Sequence, residues 1–143
     1  MSKQCPRGSQ AHRGRCISID RMIDKLGKRI NGEEKFFHGN CGNFAIALKR
    51  VLGGGELVGV YDEHEYDGLS HVAYKLDGIY YDGDGALTKT ELKENEKEDH
   101  PSKKIEIIEG IDEDNIVISA WHISADEIQP EWFEKQIRKE MDR

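Results

Sequence analysis

The pair Asp77-Gly78 stands between two runs of β-branched and aromatic residues, His71-Val-Ala-Tyr-Lys-Leu76 and Ile79-Tyr-Tyr-Asp82. An Asp-Gly pair in that setting predicts a β-hairpin closed by a two-residue turn. Such a turn leaves little freedom, because the pairing then follows by counting. Leu76 falls opposite Ile79, Ala73 opposite Asp82, and His71 opposite Asp84. Opposed residues and their diagonal neighbours share a face of the sheet. His71, Asp82 and Asp84 are therefore expected to project from one side. A slip of one residue would send them to opposite sides.

Upstream of Gly53-Gly54-Gly55 the hydrophobic period is helical. Ile19, Met22, Ile23, Leu26 and Ile30 recur at three and four, predicting a helix between Ile17 and Ile30 that stops at Asn31-Gly32. After a connector holding Phe36, Phe37 and His38, a second amphipathic helix is expected, with Phe44, Ala45, Ala47, Leu48, Val51 and Leu52 on one face. Asn40 is its N-cap and the glycines end it. Cys41 then sits in the first turn, where the positive end of the helix dipole and unpaired backbone N–H groups favour thiolate over thiol. The plainer alternative is a small apolar residue packed under the helix.

Past the glycines the period shortens to that of strands. Leu57 to Tyr61 reads as a strand, followed by an acidic loop from Asp62 to Gly68 and then the hairpin. Residues 86 to 103 form a charged excursion in which Thr88 and Glu91 begin a short helix. Ile105 to Ile108 and Ile116 to Ser119 are further strands. Ser124 to Glu127 is a capping box for a last helix running toward Met141, with Pro130 as an alternative start. Two helices, a run of antiparallel strands and a closing helix make the fold class α+β.

A length of 143 residues bounds the chain to one domain, expected over residues 16 to 143 behind a flexible polar tail at residues 1 to 15. The net charge of −7 argues against nucleic acid as the main partner, and no apolar run approaches the length of a membrane span. No apolar h-region follows the basic start, so no secretory signal is read there. Three cysteines, Cys5, Cys16 and Cys41, are too few and odd in number for a disulfide framework, which points to free thiols in a reducing cytoplasm. Cys5, His12 and Cys16 lack the spacing of a metal site, and no metal or cofactor is expected.

A cysteine nucleophile needs a base in reach, and the base needs an orienting acceptor. The hairpin offers His71 as base and either Asp82 or Asp84 as acceptor, to set beside Cys41. The helix-starting Asn40-Cys-Gly-Asn-Phe-Ala45, the strand opening at His71 and the Asp in Ile79-Tyr-Tyr-Asp-Gly-Asp-Gly85 together resemble the papain-like cysteine hydrolases and the related transglutaminase-like proteins. The resemblance covers roughly residues 36 to 87. It implies a papain-like fold, with N-terminal helices packed on an antiparallel sheet and a C-terminal helix. It also implies Cys41 as nucleophile, His71 as general base and acid, and Asp82 as orienting residue. The implied activity is hydrolysis or acyl transfer on a protein or peptide substrate, as a peptidase, a deamidase or a transglutaminase. Where such enzymes carry a glutamine ahead of the cysteine this chain has none, leaving Asn40, His38 and the backbone N–H of Cys41 for the oxyanion. An acidic loop bordering the site would favour a basic substrate.

Two other readings compete. One is a non-catalytic, acidic binding or inhibitory module on the same fold, suited to a basic partner. The other is a calcium loop of EF-hand type, with Asp82, Asp84, Gly85 and Glu91 at loop positions three, five, six and twelve. Tyr80 would then stand at position one, where a carboxylate belongs.

Overall fold

A computed structural model describes residues 5–30, 41–62, 69–99, 104–113 and 130–143. The chain opens with a hairpin of β1 (Ser9–His12) and β2 (Arg15–Ser18), followed by α1 (Ile19–Arg29) and α2 (Cys41–Leu52). Strands β3 (Glu56–Asp62), β4 (Leu69–Leu76), β5 (Ile79–Asp82) and β6 (Gly85–Leu87) come next. Then follow α3 (Lys89–Asp99), β7 (Ile105–Ile111) and α4 (Pro130–Met141). Strands β3 to β7 form one antiparallel sheet in the order β6-β5-β4-β3-β7. The fold is α+β. Among the described residues no helix is long and apolar enough to cross a membrane.

Helix α1 forms as its spacing requires. Ser18 caps it by accepting from the Arg21 amide at 3.3 Å, and Ile19, Met22, Ile23 and Leu26 are buried along one stripe. Helix α2 departs from the amphipathic expectation in its first half. Phe44, Ala45, Ile46, Ala47 and Leu48 are all 1% exposed or less, and Asn43 beside them is equally buried. Five consecutive residues pass more than one full turn, so this half is enclosed on every side. Only toward Lys49 and Arg50 does a wet face appear.

The three glycines after α2 all take positive φ, 71°, 61° and 60°, which bends the chain directly into β3. A Cβ on Gly55 would lie 2.7 Å from the ring of Tyr74, so the close approach itself demands glycine. The Tyr74 hydroxyl donates to the Gly53 carbonyl at 2.9 Å, fastening the helix end to β4, and burial pushes its phenol up to about 12.

The sheet has two buried faces. Leu57, Val72, Tyr74 and Tyr81 pack with α1, α2 and α4, and Phe44 meets Phe133 of α4 edge-to-face at 5.5 Å. Val58, Val60, Ala73 and Tyr80 pack on the other side with Leu92 of α3 and Ile105 of β7. Leu92 is the apolar anchor of an otherwise charged helix. Thr88 and Glu91 start α3 with a reciprocal capping box, at 3.0 and 3.1 Å.

The N-terminus differs from expectation. Residues 9 to 18 form an antiparallel hairpin, mostly within residues 1 to 15 where a flexible tail is predicted, and Cys5 and Cys16 are joined in a disulfide. A reducing compartment inferred from free thiols therefore loses its ground. The expected strand at Ile116 to Ser119, the capping box at Ser124 to Glu127 and the connector around Phe36 and Phe37 lie outside the described residues. The last helix begins at Pro130, the first-turn position where a missing N–H costs nothing.

Candidate functional site

The hairpin register is the one obtained by counting from Asp77-Gly78: Leu76 pairs with Ile79, Lys75 with Tyr80 and Tyr74 with Tyr81. Strand β5 ends at Asp82 rather than running on to face His71. The chain turns at Gly83 and Asp84, and β6 pairs Gly85 with Asp82. Asp84 thus occupies a turn, and Asp82 is the carboxylate on the sheet.

His71 Nε2 lies 2.9 Å from Asp82 Oδ2. The second carboxylate oxygen of Asp82 accepts from the Asp84 amide at 2.8 Å, so the turn holds the carboxylate that holds the ring. The Asp82 side chain is 7% exposed and that of His71 26%, a buried acceptor behind a ring that solvent reaches. A carboxylate on Nε2 presents Nδ1 as the nitrogen for proton exchange. Burial and the neighbouring Asp82 push the Asp84 carboxyl up, against the pull of His71.

A part of this arrangement that the sequence did not suggest comes from α1. Asp20, in its first turn, accepts from the Ala86 amide at 2.7 Å. Gly85 has φ 106°, and a Cβ there would collide with the Asp20 carboxylate. Helix α1 thereby braces the turn that carries Asp82 and Asp84. Nothing local marks Asp20 for this; an acidic residue in a first turn reads equally well as a dipole partner.

Cys41 is the first residue of α2, as its N-cap context predicts. Asn40 and His38 lie outside the described residues, as does the acidic loop from residue 63 to 68. The helix it opens packs on the sheet face of Val72 and Tyr74. By strand alternation His71 and Asp82 stand on the other face, with Ala73 and Tyr80. The pairing of β3 with β4 slips by one residue between Val60 opposite His71 and Tyr61 opposite Leu69. A bulge therefore immediately precedes His71, and bulges bend a strand and re-aim the side chains beside them.

The frame of an EF-hand is not what surrounds the aspartates. They sit in a hairpin turn between β5 and β6, no helix leads into them, and Glu91 is engaged in the capping box of α3. Among the described residues no group of three potential ligands is placed to hold a metal ion. Comparison with protein-family models, with curated proteins and with solved structures finds no match to this chain.

Proposed function

We propose that this chain is a thiol-dependent hydrolase or acyltransferase of papain-like type, with Cys41 as nucleophile, His71 as base and acid, and Asp82 as the residue that orients the imidazole. The supporting observation is the His71–Asp82 pair: a partly accessible ring held at 2.9 Å by a buried, turn-anchored carboxylate. In this reading His71 takes the Cys41 proton, and the thiolate attacks the carbonyl carbon of an amide, ester or isopeptide. The tetrahedral adduct collapses to a thioester as the imidazolium returns its proton to the leaving amine or alcohol. Water then releases the acid, or an amine takes the acyl group. The backbone N–H of Cys41, at the start of α2, is one donor for the oxyanion. The substrate is a protein or peptide, and a basic one if the acidic loop borders the site.

Strand alternation favours a second reading. If the ring stays on the face of Ala73, His71 and Asp82 serve as a brace between strand ends, and the fold is a binding module with an idle Cys41. Iodoacetamide labelling separates the two. Cys5 and Cys16 are tied to each other, so alkylation reports on Cys41. An activated thiol is expected to react at pH 6 about tenfold or more faster than N-acetylcysteine, and His71→Ala should remove the excess. A rate equal to N-acetylcysteine and indifferent to His71→Ala would leave only the binding module.

A further inference from the structure

Charge is unevenly distributed along this acidic chain. Residues 1 to 30 hold eight of the 21 Lys and Arg but only two of the 28 Asp and Glu. The fold gathers much of that excess around a groove of about 760 Å³ between the β1–β2 hairpin, α1 and the end of α4. Arg15, Arg21, Lys25, Lys28 and Arg143 line it. Among the described lining residues the acidic side chain is Glu140. Its side chain is 5% exposed and already held by Arg29 at 3.0 Å. Arg21 and Lys25 enter no ion pair among the described residues. A smaller concavity beside it, lined by Arg29, Lys139 and Arg143, extends the cationic surface.

The groove is also built. Arg15 donates to the Arg143 carbonyl at 3.0 Å, joining hairpin and helix end into one wall. Ile17 is half-buried in the lining, and Met22 and Met141 lie beneath with 3% and 4% exposure. An apolar floor under a cationic rim suits a ligand that is anionic on one side and apolar on the other. Arg21, Lys25 and Lys28 stand four and three residues apart on α1, so the stripe rises over roughly 10 Å. An extended peptide repeats on each side every ~7 Å, close to the roughly 6 Å rise from Arg21 to Lys25, so alternating acidic and apolar residues can set successive carboxylates against those two cations. Among the described residues no aromatic ring lines the groove to stack a base, and an apolar floor contributes nothing to phosphate binding.

We propose that this groove docks an acidic peptide segment of a partner protein, in extended form, with carboxylates on the rim and aliphatic side chains on the floor. The proposal is independent of Cys41 and His71. The test is fluorescence anisotropy of the full chain with a short labelled peptide alternating leucine and glutamate. Saturable binding is expected. Arg21→Glu with Lys25→Glu should weaken it about tenfold or more and confer binding of the matching leucine–lysine peptide. Lys97→Glu, on the exposed side of α3, should leave it within about twofold. Replacing the peptide's leucines by serines should weaken it through loss of the floor contacts. Equal loss from Lys97→Glu, indifference to the leucine change, or tighter binding of a DNA duplex than of the peptide would each overturn the proposal.

Discussion

Among the described residues the same turn occurs twice, in two hairpins held by different forces. Arg13-Gly14 and Asp77-Gly78 are both two-residue turns with positive φ at each position, 50° and 79° in the first and 53° and 81° in the second. Around Asp77-Gly78 the strands supply Val72, Tyr74 and Tyr81, each 1% exposed or less. Around Arg13-Gly14 no strand residue is buried. The first hairpin is instead tied down by the Cys5–Cys16 disulfide and by contacts with the end of α4. His12 lies 2.7 Å from Asp142, and Arg15 reaches the Arg143 carbonyl. Gln10 adds a hydrogen bond to the last carbonyl of α2. Turn geometry alone does not fix a hairpin in place; one is held by burial and the other by a covalent link and a polar clasp.

That difference predicts unequal losses. The largest is expected from Tyr74→Ala in the core hairpin, which opens a cavity and removes the tether to Gly53. A cost of about 3–5 kcal/mol is expected, read as a cooperative fall in the midpoint of urea unfolding. Cys16→Ser in the N-terminal hairpin should cost less, about 2–3 kcal/mol, the scale for closing a loop of this length. It should also act locally. Hydrogen exchange would speed up across Ser9 to Ser18 while Val72, Tyr74 and Tyr81 keep their protection. Loss of protection in β4 and β5 on breaking the disulfide would show that the hairpin supports the core rather than lying on it.

The same contrast explains what the sequence revealed. The Asp77-Gly78 hairpin was legible because turn chemistry and hydrophobic alternation agree there, and its register led to the pairing of His71 with Asp82. The count broke down only beyond Asp82, where Gly83-Asp84 turns the chain into β6. A single aspartate between two glycines gives no strand period to read. Residues 9 to 18, with Gln10, His12, Arg15 and Cys16 on the strands, likewise show no alternation, and the polar clasp that helps hold them is supplied by Asp142 and Arg143, more than a hundred positions away. Helix α2 was misjudged for a related reason. Asn43 and Lys49 interrupt its apolar run enough to suggest a wet face, yet α4 and the sheet pack against it and its first half is buried throughout. The bracing of the aspartate turn by Asp20 is a contact across 66 positions that no local pattern carries.

The smallest expected effect tests the clasp itself. A hydrogen bond from His12 holds the Asp142 carboxyl below its ordinary value, with Arg13 reinforcing it against a slight burial. A carboxyl depressed in the folded state contributes stability above its ordinary titration range, and that contribution is lost as pH falls through the folded pKa. Wild type should therefore melt slightly above Asp142→Asn between pH 5 and 7, by an amount on the order of 1 °C. The two should converge as pH drops below about 4, where the free carboxyl takes up its proton. Exchange at Ser9 to Ser18 should follow the same pH course, since those amides open when the clasp does. A gap that persists unchanged at low pH would mean that the His12 hydrogen bond survives protonation of its partner. The hairpin would then be held by shape and neutral hydrogen bonds, and its contrast with the buried hairpin would rest on the disulfide alone.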